Sequence, residues 1–177
     1  MALAGTGAGS VMIPPMDFAK WVAEFKVLHQ KAHKGELKPA ELEKYLADRN
    51  ELAAAVLANQ RIAVRAGQQP RSVLKATRVL PIEIEVNCRM RPLMTLELSA
   101  EGFTALTGDA PAPDKPAAFV LKLPGSEPIS GEALCVQATK QTGNFKCQFK
   151  YEASVGPNAR EKIELFVFGD LLTHLKS

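Results

Sequence analysis

Residues that carry chemistry are scarce in this chain. Its three cysteines, Cys88, Cys135 and Cys147, lie too far apart to form a CxxC pair or a short zinc-ligand set. Of its three histidines, His29 and His33 share a helix face at i, i+4, but Gln30, Lys31 and Ala32 stand between them. The glutamate of HExxH is therefore missing, and Lys31 and Lys34 repel a cation. Both are expected to be solvent-exposed helix residues, and His174 suggests no site. There is no GxSxG, P-loop or GxGxxG, and Gly5-Thr6-Gly7-Ala8-Gly9 neither follows a strand nor opens a helix. Aromatics make up only 6% of the residues, and no candidate strand interleaves them with arginine. That argues against the stacking platforms that hold single-stranded nucleic acids. A formal charge of +3, from 22 basic and 19 acidic residues, is too mild for a nucleic-acid footprint. No segment approaches the roughly 20 apolar residues of a membrane span. No catalytic residue and no metal ligand is nominated, and the chain reads as a non-enzyme that neither binds nucleic acid nor inserts into a membrane.

What is present is globular. Hydrophobic residues make up 46% of the chain and charged residues 23%, a balance that supports a core. The cysteines are expected to be buried, reduced thiols, as suits a cytoplasmic protein. Residues Met1–Pro15 are mostly small and lack a basic n-region, so they read as a disordered leader rather than a signal peptide.

The next segment, 16–65, reads as a helical hairpin. Asp17 is placed to cap a first helix, with Phe18, Trp21, Val22, Phe25, Leu28 and Ala32 at helical spacing and Gly35 at its end. Pro39 suits the first position of a second helix running to about Val64, with Leu42, Tyr45, Leu46, Leu52, Ala53, Val56 and Leu57 forming its stripe and Arg49 interrupting it. A short turn between two such helices makes an antiparallel hairpin. Trp21, Phe25 and Tyr45 are candidates for a partner-docking or dimer-forming surface; the plainer expectation is that the stripes pair with each other and cover the C-terminal domain. Ala66-Gly67-Gln68-Gln69-Pro70 breaks the pattern and opens a linker over 66–78.

Beyond the linker the period changes to two. Ile82, Ile84 and Val86 alternate with Glu83 and Glu85, and further strands are expected at 93–98, 102–106, 118–123, 129–138 and 144–151. Six short strands separated by Gly, Pro and Asn turns argue for an antiparallel barrel. Residues 159–176 then read as a helix, weakened or bent at Gly169. The fold class is α+β: a helical hairpin, a barrel and a C-terminal helix, the last two occupying 79–177.

One stretch is distinctive. Arg71, Lys75 and Arg78 cluster before the first strand, and Glu97-Leu98-Ser99-Ala100-Glu101-Gly102 comes on later strands. A basic lead-in, a strand, a Ser-x-x-Gly turn and another strand resemble the PilZ family. That resemblance implies a six-stranded antiparallel barrel with two motifs, RxxxR before the barrel and [D/N]xSxxG on its early strands. Together they bind the bacterial second messenger cyclic di-GMP. Forked guanidiniums hold phosphates and guanine edges and stack on the bases. The match departs from the family pattern in two places. Glu97 stands at the Asp/Asn position, one methylene longer. If Arg78 is the second arginine, Leu74 occupies the place of the first; alternatively Arg71 and Lys75 form RxxxK.

The resemblance implies a bacterial regulatory protein in cyclic di-GMP-linked control of motility, pili or surface polysaccharide. Given the departures, it is expected to be degenerate in nucleotide binding and to act through protein contacts, the hairpin meeting a partner or a second copy. The alternative is a working receptor in which Arg71, Lys75, Arg78, Glu97, Ser99 and Gly102 hold the nucleotide and binding rearranges the hairpin against the barrel. No cofactor is expected apart from that ligand.

Overall fold

The computed structural model describes residues 18–175. The expected leader over 1–15 and the Asp17 cap lie outside the described residues.

The first helix, α1, runs Phe18–Lys34 and α2 runs Pro39–Asn59. Gly35 ends α1 in the left-handed region at φ 68°, and Glu36 N–H donates to the Lys31 carbonyl at 2.9 Å. This is the six-to-one closure in which glycine is favoured. Pro39 opens α2, and the Glu41 carboxylate accepts from the Lys38 backbone N–H. The second helix stops five residues earlier than its apolar stripe suggests. Arg61 adopts φ 56°, and Ile62 N–H donates to the Leu57 carbonyl at 2.8 Å. The closure is the same as in α1, but with no glycine to signal it in the sequence.

The linker is not a free tether. A 3-10 turn over Pro70–Val73 packs against α2, and β1 (Lys75–Ala76) pairs with β3 (Arg89–Ser99). The remaining strands are β2 (Pro81–Val86), β4 (Gly102–Thr107), β5 (Ala117–Leu121), β6 (Ile129–Gln141) and β7 (Asn144–Tyr151). The sheet runs β3-β2-β5-β6-β7-β4 and closes through a β3–β4 pairing, giving a six-stranded antiparallel barrel with β1 as a short addition. Strand β3 begins earlier than its apolar pattern implies, because Asn87 (φ 51°) and Cys88 (φ 59°) make a two-residue turn that starts the return at Arg89. That conformation normally calls for Asn-Gly, so the turn is hard to see in the sequence. Cys88 is exposed there, against the expectation of burial; Cys135 and Cys147 are buried in the wall.

Inward-facing side chains of the barrel are mostly apolar. Phe103 stacks on Phe149 at 4.9 Å between centroids and meets Phe119 at 5.4 Å, and Phe119 stacks on Tyr151 at 5.4 Å. Helix α3 (Pro157–His174) packs against β1 and β3 on one side and α1 on the other. Phe168 on α3 meets Phe25 on α1 at 6.4 Å. The C-terminal helix thus lies between hairpin and barrel. Among the described residues, no helix is long and apolar enough to cross a membrane.

Candidate functional site

The Ser99–Gly102 turn joins β3 to β4. Ser99 Oγ accepts from the Glu101 and Gly102 backbone N–H groups at 3.3 and 3.2 Å and donates to the Gly102 carbonyl at 3.1 Å. The hydroxyl is therefore committed to its own turn. Gly102 is required by space. A Cβ there would lie 1.9 Å from the Phe149 carbonyl oxygen on β7, so the two strands approach as closely as they do only because that side chain is absent.

A cavity of about 190 Å³ opens beside this turn, lined by Lys75, Glu97, Ser99, Gly102, Gln148 and Lys150 among others. An adjoining hollow of about 300 Å³ shares Lys75, Glu97, Thr104 and Gln148 with it and adds Gln137, Thr139 and Lys146. The strand register explains this polar floor. Glu97 pairs with Thr104, Thr104 with Gln148, and Gln148 with Gln137, one row across β3, β4, β7 and β6. Within it the Glu97 carboxylate accepts from Thr104 Oγ1 and faces Lys75 Nζ, each at 3.4 Å. Sequence reasoning nominates Glu97 but misses Thr104, Gln137 and Gln148. They sit on strands whose outward polar residues look like any wetted surface until the register aligns them.

The three basic residues of the lead-in do not converge here. Only Lys75 lines the cavity. Arg71 turns to α3, where its Nε lies 3.3 Å from Glu164 Oε1, and it also donates to Gln69 Oε1 at 2.6 Å. Arg78 reaches further along the same helix, its Nη1 lying 3.3 Å from Asp170 Oδ1. The backbone around Arg78 is fixed by Thr95, a buried β3 residue that the sequence does not mark. Thr95 Oγ1 donates to the Arg78 carbonyl at 2.7 Å and accepts from Leu80 N–H at 3.0 Å.

Behind these contacts lies a buried ionic junction. Arg49, read from the sequence as a break in the stripe of α2, is 0% exposed. Its guanidinium donates to both carboxylate oxygens of Glu161, at 2.8 and 3.4 Å, and to Glu164 at 3.4 Å. The rings of Tyr45 and Phe168 flank it at 5.3 and 5.7 Å. Glu164 is shared between Arg49 and Arg71, so α2, α3 and the lead-in meet at one carboxylate. Burial pushes the Glu164 carboxyl above its ordinary range despite both cations. At Glu161 burial acts in the same direction, but the hydrogen bond and charge of Arg49 outweigh it and hold the group low.

On the hairpin, two of the three candidate docking residues are buried, as the plainer expectation of paired stripes has it. Phe25 and Tyr45 are 0% and 1% exposed, enclosed between α1, α2 and α3, and offer nothing to a partner. Trp21 is half-buried and stacks between Phe25 and the exposed Phe18, at 5.8 and 6.1 Å. With Leu52 and Ala55 these two rings edge a small apolar hollow. His29 is likewise not solvent-exposed. It is 5% exposed, its Nδ1 lies 2.9 Å from the Tyr45 hydroxyl, and Gly169 of α3 leaves room for its Nε2, which a Cβ there would approach to 3.3 Å. Burial first, then the charges of His33 and Arg49, lower its pKa to about 4. Gly169, seen in the sequence only as a weakness in a helix, is where the imidazole fits. Among the described residues, no cluster of three or more His, Cys, Asp or Glu side chains is placed to hold a metal ion.

No family model matches the chain, and no curated protein matches it in sequence. Solved structures do. The chain superimposes on the Bacillus subtilis inhibitor of motility (MotI/DgrA) with a TM-score of 0.51 and 14% identity, over 58% of this chain and 51% of that one, about half its length. Escherichia coli YcgR in complex with c-di-GMP matches with a TM-score of 0.44 and 12% identity, over 54% of this chain and 43% of that one. A tetrameric PilZ domain from Xanthomonas campestris, self-assembled through a helical bundle, matches over 90% of this chain and 80% of its own, with 14% identity and a TM-score of 0.38. The barrel has the PilZ-like fold.

Proposed function

We propose that this protein is a bacterial PilZ-like regulator in cyclic di-GMP-linked control of motility, pili or surface polysaccharide, acting in the cytoplasm through protein contacts and binding the nucleotide weakly or not at all. The observation that carries this reading is the direction of the lead-in cations. Arg71 and Arg78 are held by Glu164 and Asp170 of α3, and Lys75, alone at the cavity, already faces Glu97. A lysine does not reproduce a bidentate, stacked arginine contact. Each charge-assisted hydrogen bond lost costs about 1.5–3 kcal/mol, and a few of them separate micromolar from negligible affinity. The committed Ser99 hydroxyl supports the same reading. Phe18 and Trp21 on the hairpin offer apolar surface to a partner protein or a second copy.

A second reading has its own support. The cavity beside the Ser99 turn and the Glu97–Thr104–Gln148–Gln137 row have the hydrogen-bonding character a guanine edge needs. In that reading the protein is a working receptor. Calorimetric titration of cyclic di-GMP at moderate salt separates the two. The expected result is no saturable heat up to high micromolar nucleotide. Stoichiometric binding at low micromolar, abolished by Arg78→Ala, overturns the degenerate reading in favour of the receptor.

A further inference from the structure

Every cation of the lead-in faces a carboxylate, and for both arginines that carboxylate belongs to α3. Glu164 and Asp170 lie six residues apart on one helix and meet Arg71 and Arg78, which stand seven apart in the lead-in. Both carboxylate side chains are only 9% exposed, while Arg78 remains 53% exposed and Arg71 24%. Two recessed anions are thus presented to two partly accessible guanidiniums. Helix α3 is itself anchored, since Glu164 and Glu161 also hold the buried Arg49 of α2.

We propose that α3 is a built-in competitor for the anion site of the lead-in, with Glu164 and Asp170 occupying the guanidiniums that would otherwise take phosphate oxygens. The inference rests on the reading of the barrel as a weak cyclic di-GMP binder and supplies its cause: the arginines are present but already taken. A ligand that presents two phosphate groups has to exchange the carboxylates of α3 for its own oxygens, so affinity is set by how firmly α3 stays docked. Any factor that loosens α3 from β1 and β3 raises the affinity of Arg71 and Arg78 for anions. By linkage, an anion bound there loosens α3.

Asp170→Asn tests this cleanly. It removes the charge facing Arg78 and leaves the Arg49–Glu161–Glu164 junction untouched. Cyclic di-GMP and inorganic pyrophosphate are titrated into wild type and variant, with melting temperature and circular dichroism as folding controls. The expected result is that the variant binds both ligands at concentrations at least about fivefold lower than the wild type needs, the wild-type value being taken as a lower limit where it does not saturate; fivefold is about the lower end of ordinary coupling between competing sites, and adding Arg78→Ala cancels the gain. An unchanged affinity in a folded Asp170→Asn protein overturns the proposal, and so does a gain that survives Arg78→Ala. Tight binding by the wild type sinks the weak-binder reading instead. The ratio between variant and wild type still decides whether α3 competes.

Discussion

The barrel and the junction above it are built from opposite materials. Inside the barrel, Ile82, Ile84, Leu98, Phe103, Phe119, Leu121 and Phe149 fill most of the space with apolar surface and no charged group. Where α2, α3 and the lead-in meet, the buried groups are Arg49, Glu164 and, partly, Arg71. The barrel tolerates small losses, because its stabilisation is spread over many side chains. The junction does not, because removing one ion leaves another uncompensated in a dry place. Hairpin, helix and lead-in are therefore coupled by charge, and that coupling determines where the arginines of the lead-in point.

The largest break in this contrast is expected from Arg49→Ala. It leaves the recessed Glu164 with the partly exposed Arg71 alone and costs about 3–5 kcal/mol, read as a drop in the denaturation midpoint. Arg49→Met with Glu161→Gln and Glu164→Gln, which removes the buried arginine together with both carboxylates that hold it, is expected to recover most of that loss. The second effect is pH dependence. His29 titrates near 4 when folded and at 6.5 when unfolded. As pH falls through that window the unfolded chain takes up the proton first. Stability from this group is therefore full above about 6.5 and declines by about 3 kcal/mol toward pH 4. Equilibrium denaturation across pH 4 to 7 checks this, with His29→Gln flattening the slope. A third, smaller loss belongs to the barrel: Gly102→Ala pushes Phe149 on β7 away from β4 and costs about 1–3 kcal/mol. Its hydrogen-exchange signature is confined to the β4–β7 ladder. Smallest is Lys75→Ala. Its contact with Glu97 is half-exposed, so it is worth under about 1 kcal/mol, and the thermal midpoint is expected to stay nearly constant.

The same contrast separates what was legible in the sequence from what was not. Alternation at 82–86, glycine and proline turns, and the Ser99–Gly102 motif carried the barrel, because an inside and an outside face leave a period of two in the chain. Gly35 and Pro39 marked the hairpin turn for equally local reasons. Arg49 looked like a flaw in an apolar stripe because its partners, Glu161 and Glu164, lie more than a hundred residues later and no local pattern links them. His29 and Gly169 failed in the same way, each ordinary alone and meaningful only across the α1–α3 contact. The candidate site was half legible. Glu97, Ser99 and Gly102 lie together with Lys75, whereas Arg71 and Arg78, expected in the same group, face α3. Charge and spacing do not say which of two nearby anions, a ligand or a helix, an arginine will meet.

That choice of partner is the central claim, and arginine side-chain NMR reads it directly. The Nε–H of Arg71 donates to Gln69 Oε1 with the Glu164 carboxylate 3.3 Å from the same nitrogen, and it gives a resolved, slowly exchanging resonance that senses that charge if the pairing holds in solution. Glu164→Gln is expected to shift this resonance strongly, and high-micromolar cyclic di-GMP, below the concentration that displaces α3, to leave it unmoved in the wild type. A resonance that moves with the nucleotide and ignores Glu164→Gln contradicts the claim.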